Sequence, residues 1–124
     1  MNLAFDEAEI EHIIETTVQP HKNPEYNKER EKSTQDKVFL LSIEEAYQYF
    51  KGDNERCCKP SNTARNNGVF VVNNGNCRWW LRSVGRNQWN ATCISYLGDV
   101  YKFGNDVDVD RYGVRPAMWI EIPE

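Results

Sequence analysis

The chain lacks most of what would tie it to a nucleic acid, a bilayer or a familiar catalytic scheme. Its 124 residues carry a net charge of −4. No run of Lys and Arg offsets that balance, so the basic stripe of a general nucleic-acid binder is missing. Apolar runs such as 38–41 and 69–72 fall far short of the roughly 20 residues a membrane-spanning helix needs. Histidine occurs only at His12 and His21, both distant in sequence from the polar and aromatic C-terminal third. HExxH, GxSxG, phosphate-loop and GxGxxG patterns are all absent. The opening Met1-Asn2-Leu3-Ala4-Phe5-Asp6 has neither the basic segment nor the apolar core of a secretory signal, so none is read here. A mature secreted chain that has lost its signal stays open, and the compartment is unassigned. There is no internal repeat and no low-complexity run.

Cysteine is sparse: Cys57, Cys58, Cys77 and Cys93. Their spacing contains no CxxC pair, which speaks against a zinc ribbon. Neighbours such as Cys57 and Cys58 rarely bridge each other, because the geometry is strained. Cys77 and Cys93 flank a Trp-rich strand and are candidates to approach in space. The simpler reading makes them small buried hydrophobes in a reducing compartment.

What is present fits one globular domain, 1–124. Hydrophobic residues make up 40% and charged residues 27%, an ordinary soluble composition, slightly lean in apolar content. Asp6 caps a helix expected over 6–15, with Ile10, Ile13, Ile14 and Thr17 on one face. Residues 19–36, with Pro20 and Pro24, read as a long loop. A buried strand follows at 38–41. Ser42-Ile43-Glu44-Glu45 is a capping box that starts a helix ending near Phe50. Pro60 or Ser61 starts a short helix that Gly68 stops. From there the pattern turns to strands: 69–72, 78–83, 91–97, 100–103 and 114–122, with turns at 73–76, Gly98-Asp99 and Gly104-Asn105. Pro116 marks the last as an edge or a bulge. The expected class is α+β, two longer N-terminal helices followed by a mostly antiparallel sheet with long loops.

Two stiff frames bound the C-terminal third, Trp79-Trp80-Leu81-Arg82-Ser83 and Gly113-Val114-Arg115-Pro116-Ala117-Met118-Trp119. Between them polar and aromatic residues spread at roughly alternate positions: Arg86, Asn87, Trp89, Asn90, Ser95, Tyr96, Asp99, Tyr101, Phe103, Asp106, Asp108, Asp110, Arg111 and Tyr112. Such a mixture is what recognition surfaces use, since Tyr, Trp and Arg bring area with few rotors while Asn, Ser and Asp bring adaptable hydrogen bonds. Trp79 and Trp80 read as core, with Trp119, because Trp buries so much area. Arg82 and Arg115 lie in apolar strands and need carboxylate or carbonyl partners. They read as structural pins using Asp106 or Asp110. The run Asp106-Val107-Asp108-Val109-Asp110 starts like an EF-hand, but Arg111 and Ala117 stand where that loop needs Gly and Glu. No metal and no cofactor are expected.

The two frames, with Gly85, Gly98, Gly104, the stretch from Asp36 to Ala46 and Lys59-Pro60, resemble a bacterial domain family of unknown function. Its members read WWLRSPG, a variable stretch, then GVRPALW; Val84 departs from the usual Pro. The family resembles the C-type-lectin-like fold, shared with lectins, formylglycine-generating domains and the variable proteins of diversity-generating retroelements. The resemblance implies a fixed frame presenting a ligand-binding patch at 86–112, with Tyr101, Phe103, Trp89 and Tyr112 as anchors. The ligand would be a protein or glycan surface. The Glu-Pro-Asn and Trp-Asn-Asp elements of calcium-dependent sugar binding do not occur. The resemblance also implies a further N-terminal strand and helix ahead of Leu3 that this chain does not show. Their lack would leave the edge near 114–122 bare and open to homodimerisation. Two other readings stay open. One is a thiol-dependent enzyme akin to the formylglycine-generating group, using Cys77 and Cys93. The other is a structural module of a larger surface or phage-borne protein, with no ligand of its own.

Overall fold

Ser42 and Glu45 set the best-defined helix. The Ser42 hydroxyl accepts from the Glu45 amide at 3.1 Å, and the Glu45 carboxylate accepts from the Ser42 amide at 3.0 Å. This reciprocal cap satisfies two amides that have no partner inside the helix. Helix α1, Ile43–Tyr49, buries Ile43 and Ala46. The computed structural model describes residues 13–19, 23–25, 33–72, 74–87 and 89–120. Within these lie two further short helices, α2 (Asp53–Arg56) and α3 (Asn62–Asn66), the latter capped by Ser61.

Among the described residues the strands form three antiparallel sheets. β1 (Ile13–Ile14) pairs with β7 (Trp119–Ile120), and β2 (Thr16–Val18) pairs with β3 (Thr34–Asp36). The largest sheet orders β4 (Trp79–Val84), β5 (Asn90–Ile94) and β6 (Val100–Asp106) as a meander. Between β5 and β6 the chain turns at Gly98, whose φ of 89° favours glycine. A Cβ there would also stand 1.7 Å from the Asp53 carbonyl oxygen. The core gathers Leu41, Ile43, Ala46, Trp79, Leu81 and Ile94, with Phe39, Phe50, Val100 and Ala117 against it. Trp79 is fully buried, and its indole N–H donates to the Arg56 carbonyl at 2.9 Å.

The expected architecture of two longer N-terminal helices before a sheet does not hold. Residues 6–12 of the first expected helix lie outside the described residues, and its end, Ile13–Ile14, is a strand. The apolar spacing there is equally compatible with extended chain, and pairing with β7 decides it. The remaining helices are short, at 7, 4 and 5 residues. Strands expected at 38–41 and 69–72 reduce to a single bridge, Phe39 with Ala117, and to turn contacts around Gly75. Of the strand expected at 114–122, residues 121–122 lie outside the described residues; the described part holds Trp119–Ile120 and the Ala117 bridge, with Pro116 bringing no amide to a ladder. Gly104 does not end β6; at φ 82° it sits inside a strand whose register with β5 shifts. The edge expected to be bare is met at Trp119–Ile120 by β1.

Candidate ligand-binding groove

Adjacent residues of a strand face opposite sides. Trp79 faces the core, so its neighbours Arg78 and Trp80 look the other way. Register then builds a row across the sheet, Trp80 opposite Cys93 and Cys93 opposite Tyr101. The loop before Gly113 folds back on this row, with the Gly113 amide donating to the Arg78 carbonyl at 2.7 Å and the Trp80 amide to the Gly113 carbonyl at 3.1 Å. That seats Tyr112 against Trp80, ring centres 4.7 Å apart. An open groove of about 850 Å³ results. Seven of the expected ligand-binding residues line it: Ser95, Tyr96, Asp99, Tyr101, Asp110, Arg111 and Tyr112.

Its centre is a residue that the sequence reading passed over. The Arg78 guanidinium lies 4.9 Å from the Tyr96 ring centre and 5.8 Å from those of Tyr101 and Tyr112. A cation over an aromatic face is attracted by the ring quadrupole, more strongly as water is excluded. Burial disfavours the Arg78 charge, but Tyr112, Tyr96 and Cys93 around it outweigh that and raise its pKa. Among the described residues, no carboxylate lies within ion-pairing distance of Arg78. Burial pushes the Tyr112 phenol above its ordinary value, with Arg78 pulling it back. Phe70, Asn105 and Val109 complete the lining. Phe70 is reached through its backbone amide, which donates to the Arg111 carbonyl at 2.9 Å, and its ring meets Tyr96 edge-on at 6.4 Å. The signal available for Arg78 was its place next to a core Trp, which puts it on the outward face.

The rest of the expected patch divides. Phe103 continues the aromatic row, stacked on Tyr101 at 6.1 Å, and the Arg86 guanidinium covers it at 4.4 Å. Arg86, Phe103, Tyr101, Arg78, Tyr96 and Phe70 thus form one continuous chain of rings and cations. The others are set apart. Trp89 is 66% exposed beside the β5 start, its amide held by the Asn87 side chain at 2.9 Å. Asn90 is buried and donates to Asp106 at 2.8 Å. Asp108 lies exposed in the turn after β6. Among the described residues no three Asp, Glu, His or Cys side chains converge as metal ligands.

Of the frame residues, Trp80 is half-buried on the groove face instead of in the core. Arg82 is buried and pinned, but by the Gln19 and Leu40 carbonyls and the Glu45 carboxylate, not by Asp106 or Asp110. Arg115 stacks on Phe50 at 4.6 Å and Trp79 at 5.0 Å, and its Nη1 is buried without a hydrogen-bond partner. Trp119 is 51% exposed and meets Tyr49 edge-on, beside a second, apolar hollow of about 420 Å³. Cys77 and Cys93 part company. Cys77 faces Cys58 across an antiparallel backbone bridge, while Cys93 accepts from the Asn105 side-chain amide at 3.8 Å on the groove face.

Residues 2–122 match the model of a family described as Domain of unknown function (DUF6273). The chain belongs to this family. No curated protein and no solved structure matches it. In this DUF6273 domain, among the described residues, no helix is long and apolar enough to cross a membrane.

Proposed function

We propose that this DUF6273 domain is a non-enzymatic recognition module whose ligand, part of a protein or glycan surface, seats in the groove around Arg78. The observation that carries this reading is an open hollow of about 850 Å³ in which several aromatic side chains surround a cation with no carboxylate partner among the described residues. Aromatic and Arg side chains are the usual anchors of binding energy. A charged donor gains more than a neutral one from an incoming acceptor. Arg78, Tyr101 and Tyr112 serve as anchors. Asp99, Asn105, Asp110 and Arg111 offer polar contacts of both signs at the rim. The exposed Trp89 and the Arg86–Phe103 pair extend the surface for a larger partner.

The resemblance to variable proteins of diversity-generating retroelements extends the proposal, with 86–112 as the segment that varies. A nearby near-copy of these codons, differing only at adenines, tests that extension. The thiol-enzyme alternative has less support. Burial and the neighbouring Cys58 push the Cys77 thiol up to about 11, and burial raises Cys93 as well. Neither is a ready thiolate near neutral pH.

A displayed random-peptide library and a glycan array, probed with the wild-type chain and with an Arg78→Ala, Tyr101→Ala, Tyr112→Ala variant, test the assignment. Binders selected on the wild type should lose at least about tenfold in affinity on a folded variant. Binders that hold the folded variant equally well would place recognition elsewhere.

A further inference from the structure

The cysteine pair that the fold brings together is not the one that flanks the Trp-rich strand. Cys58 and Cys77 are directly opposed in an antiparallel bridge, and the Cys77 amide donates to the Cys58 carbonyl at 2.9 Å. Facing residues of such a pair have Cα atoms roughly 4.5–5.5 Å apart and side chains on the same side. A disulfide needs a Cα separation of about 4.4–6.8 Å, so this backbone already satisfies it. Both cysteines are free, and the Cys58 thiol donates to the adjacent Lys59 carbonyl at 3.8 Å. The other cysteines are turned away: Cys57 donates to the Tyr96 carbonyl at 3.7 Å, and Cys93 is engaged by Asn105 and Arg78.

We propose that Cys58 and Cys77 are a redox site, closing to a reversible cross-strand disulfide by exchange with small disulfides of the glutathione type. Cys58 is partly exposed and Cys77 is 2% exposed, so the order of events follows. Cys58, as thiolate, attacks one sulfur of the small disulfide, forms a mixed disulfide and expels a thiolate. With its sulfur held in the mixed disulfide, Cys58 no longer carries a charge that opposes ionisation of Cys77; Cys77 attacks the Cys58 sulfur, and its proton passes to the second small thiolate as that group departs. Two protein thiols are oxidised, and one small disulfide is reduced to two thiols.

The link would close the segment 58–77, which carries α3 and Phe70, a wall of the groove. Its Cys77 end adjoins Arg78 and lies beneath Gly113, where an added Cβ would stand 3.2 Å from the Cys77 sulfur. Oxidation therefore tethers the Phe70 wall to the strand that presents Arg78. The proposal stands without the ligand-binding reading, since disulfide formation is read directly.

The test incubates the full chain with oxidised and reduced glutathione in varied ratio, followed by non-reducing peptide mapping and thermal melting. One cross-link, Cys58 to Cys77, is expected, with a rise in Tm of about 10 °C for a loop of this length. Cys58→Ser and Cys77→Ser should each abolish the link and the rise, whereas Cys57→Ser and Cys93→Ser should keep both. If Cys77→Ser does not fold, the partly exposed Cys58→Ser carries the comparison alone. A link through Cys57 or Cys93, a glutathione adduct at Cys58 that never closes, or no oxidation under ratios that oxidise a control dithiol would each overturn the proposal.

Discussion

Arg82 offers the sharpest test of how the sheet is joined to the rest of the chain. Its Nε and Nη2 donate to the Gln19 carbonyl at 3.1 and 2.9 Å, and its Nη1 donates to the Leu40 carbonyl at 2.8 Å and to the Glu45 carboxylate. One side chain thereby ties β4 to the end of β2, to the approach to α1 and to the α1 cap. Replacing it by Met keeps much of the stem volume and removes every donor. Breaking a buried charged pair costs about 3–5 kcal/mol. Gln19 is exposed and its carbonyl can turn to water, so the lower figure applies, about 3 kcal/mol. Glu45→Gln keeps an acceptor for the Ser42 amide but loses the charge, at about 1 kcal/mol. Because both changes remove the same ion pair, the double variant should fall short of their sum by about 1–2 kcal/mol. Urea unfolding followed by tryptophan fluorescence measures all four corners of the cycle. Additivity within about 0.5 kcal/mol, or an Arg82→Met cost below about 1 kcal/mol, would refute the pinning argument.

Gly98→Ala should cost about 3 kcal/mol in the same assay, since the new Cβ meets the Asp53 carbonyl at a positive φ; Gly52→Ala, into open space, should stay within about 1 kcal/mol. Tyr112 should titrate above 10.0 in alkaline ultraviolet difference spectra, because burial disfavours the phenolate. Arg78→Gln should move it further up, since the cation that pulls it back is gone; a downward shift would contradict the groove geometry. The folded-state pKa of Cys77, raised from 9.0 to about 11, sets a pH window. Its contribution to stability is intact below pH 9 and is lost as pH climbs to about 11. Cys77→Ala should flatten that part of the stability profile relative to wild type, and an unchanged slope would count against the burial argument.

Local chemistry was the legible part of the fold. Ser42 and Glu45 declared a capped helix, and the structure has it at Ile43–Tyr49. Ser61 and Gly68 bracket α3, and the Gly98 turn separates β5 from β6. These signals succeed because each depends on residues a few positions apart. What failed was whatever depended on distant partners. Ile13 and Ile14 fit a helical face as well as a strand, and only Trp119–Ile120 decides between them. The apolar stretch 69–72 had strand composition but no partner ladder: Val72 closes a turn with Gly75 and Asn76 instead. Cys58 and Cys77 oppose each other across a 19-residue interval (77 minus 58) that no sequence pattern marks.

The candidate site divides along the same line. Spacing raised interest in Tyr101 and Tyr112, which line the groove, and in Phe103, which stacks on Tyr101, yet it placed Trp89 and Asn90 with them. The two are separated because neighbours at the β5 start take different environments: Asn90 is sequestered by Asp106, while Trp89 projects from the preceding loop. Arg78 fell outside the segment because it precedes the Trp frame, and frame residues were read as support. A strand offers two faces at once, however. The burial that makes Trp79 a core residue is the same fact that turns Arg78 and Trp80 outward. In a strand that begins with two tryptophans, the side opposite the buried one is therefore the place to look for groove residues, and here it holds a cation around which Tyr96, Tyr101 and Tyr112 are arranged.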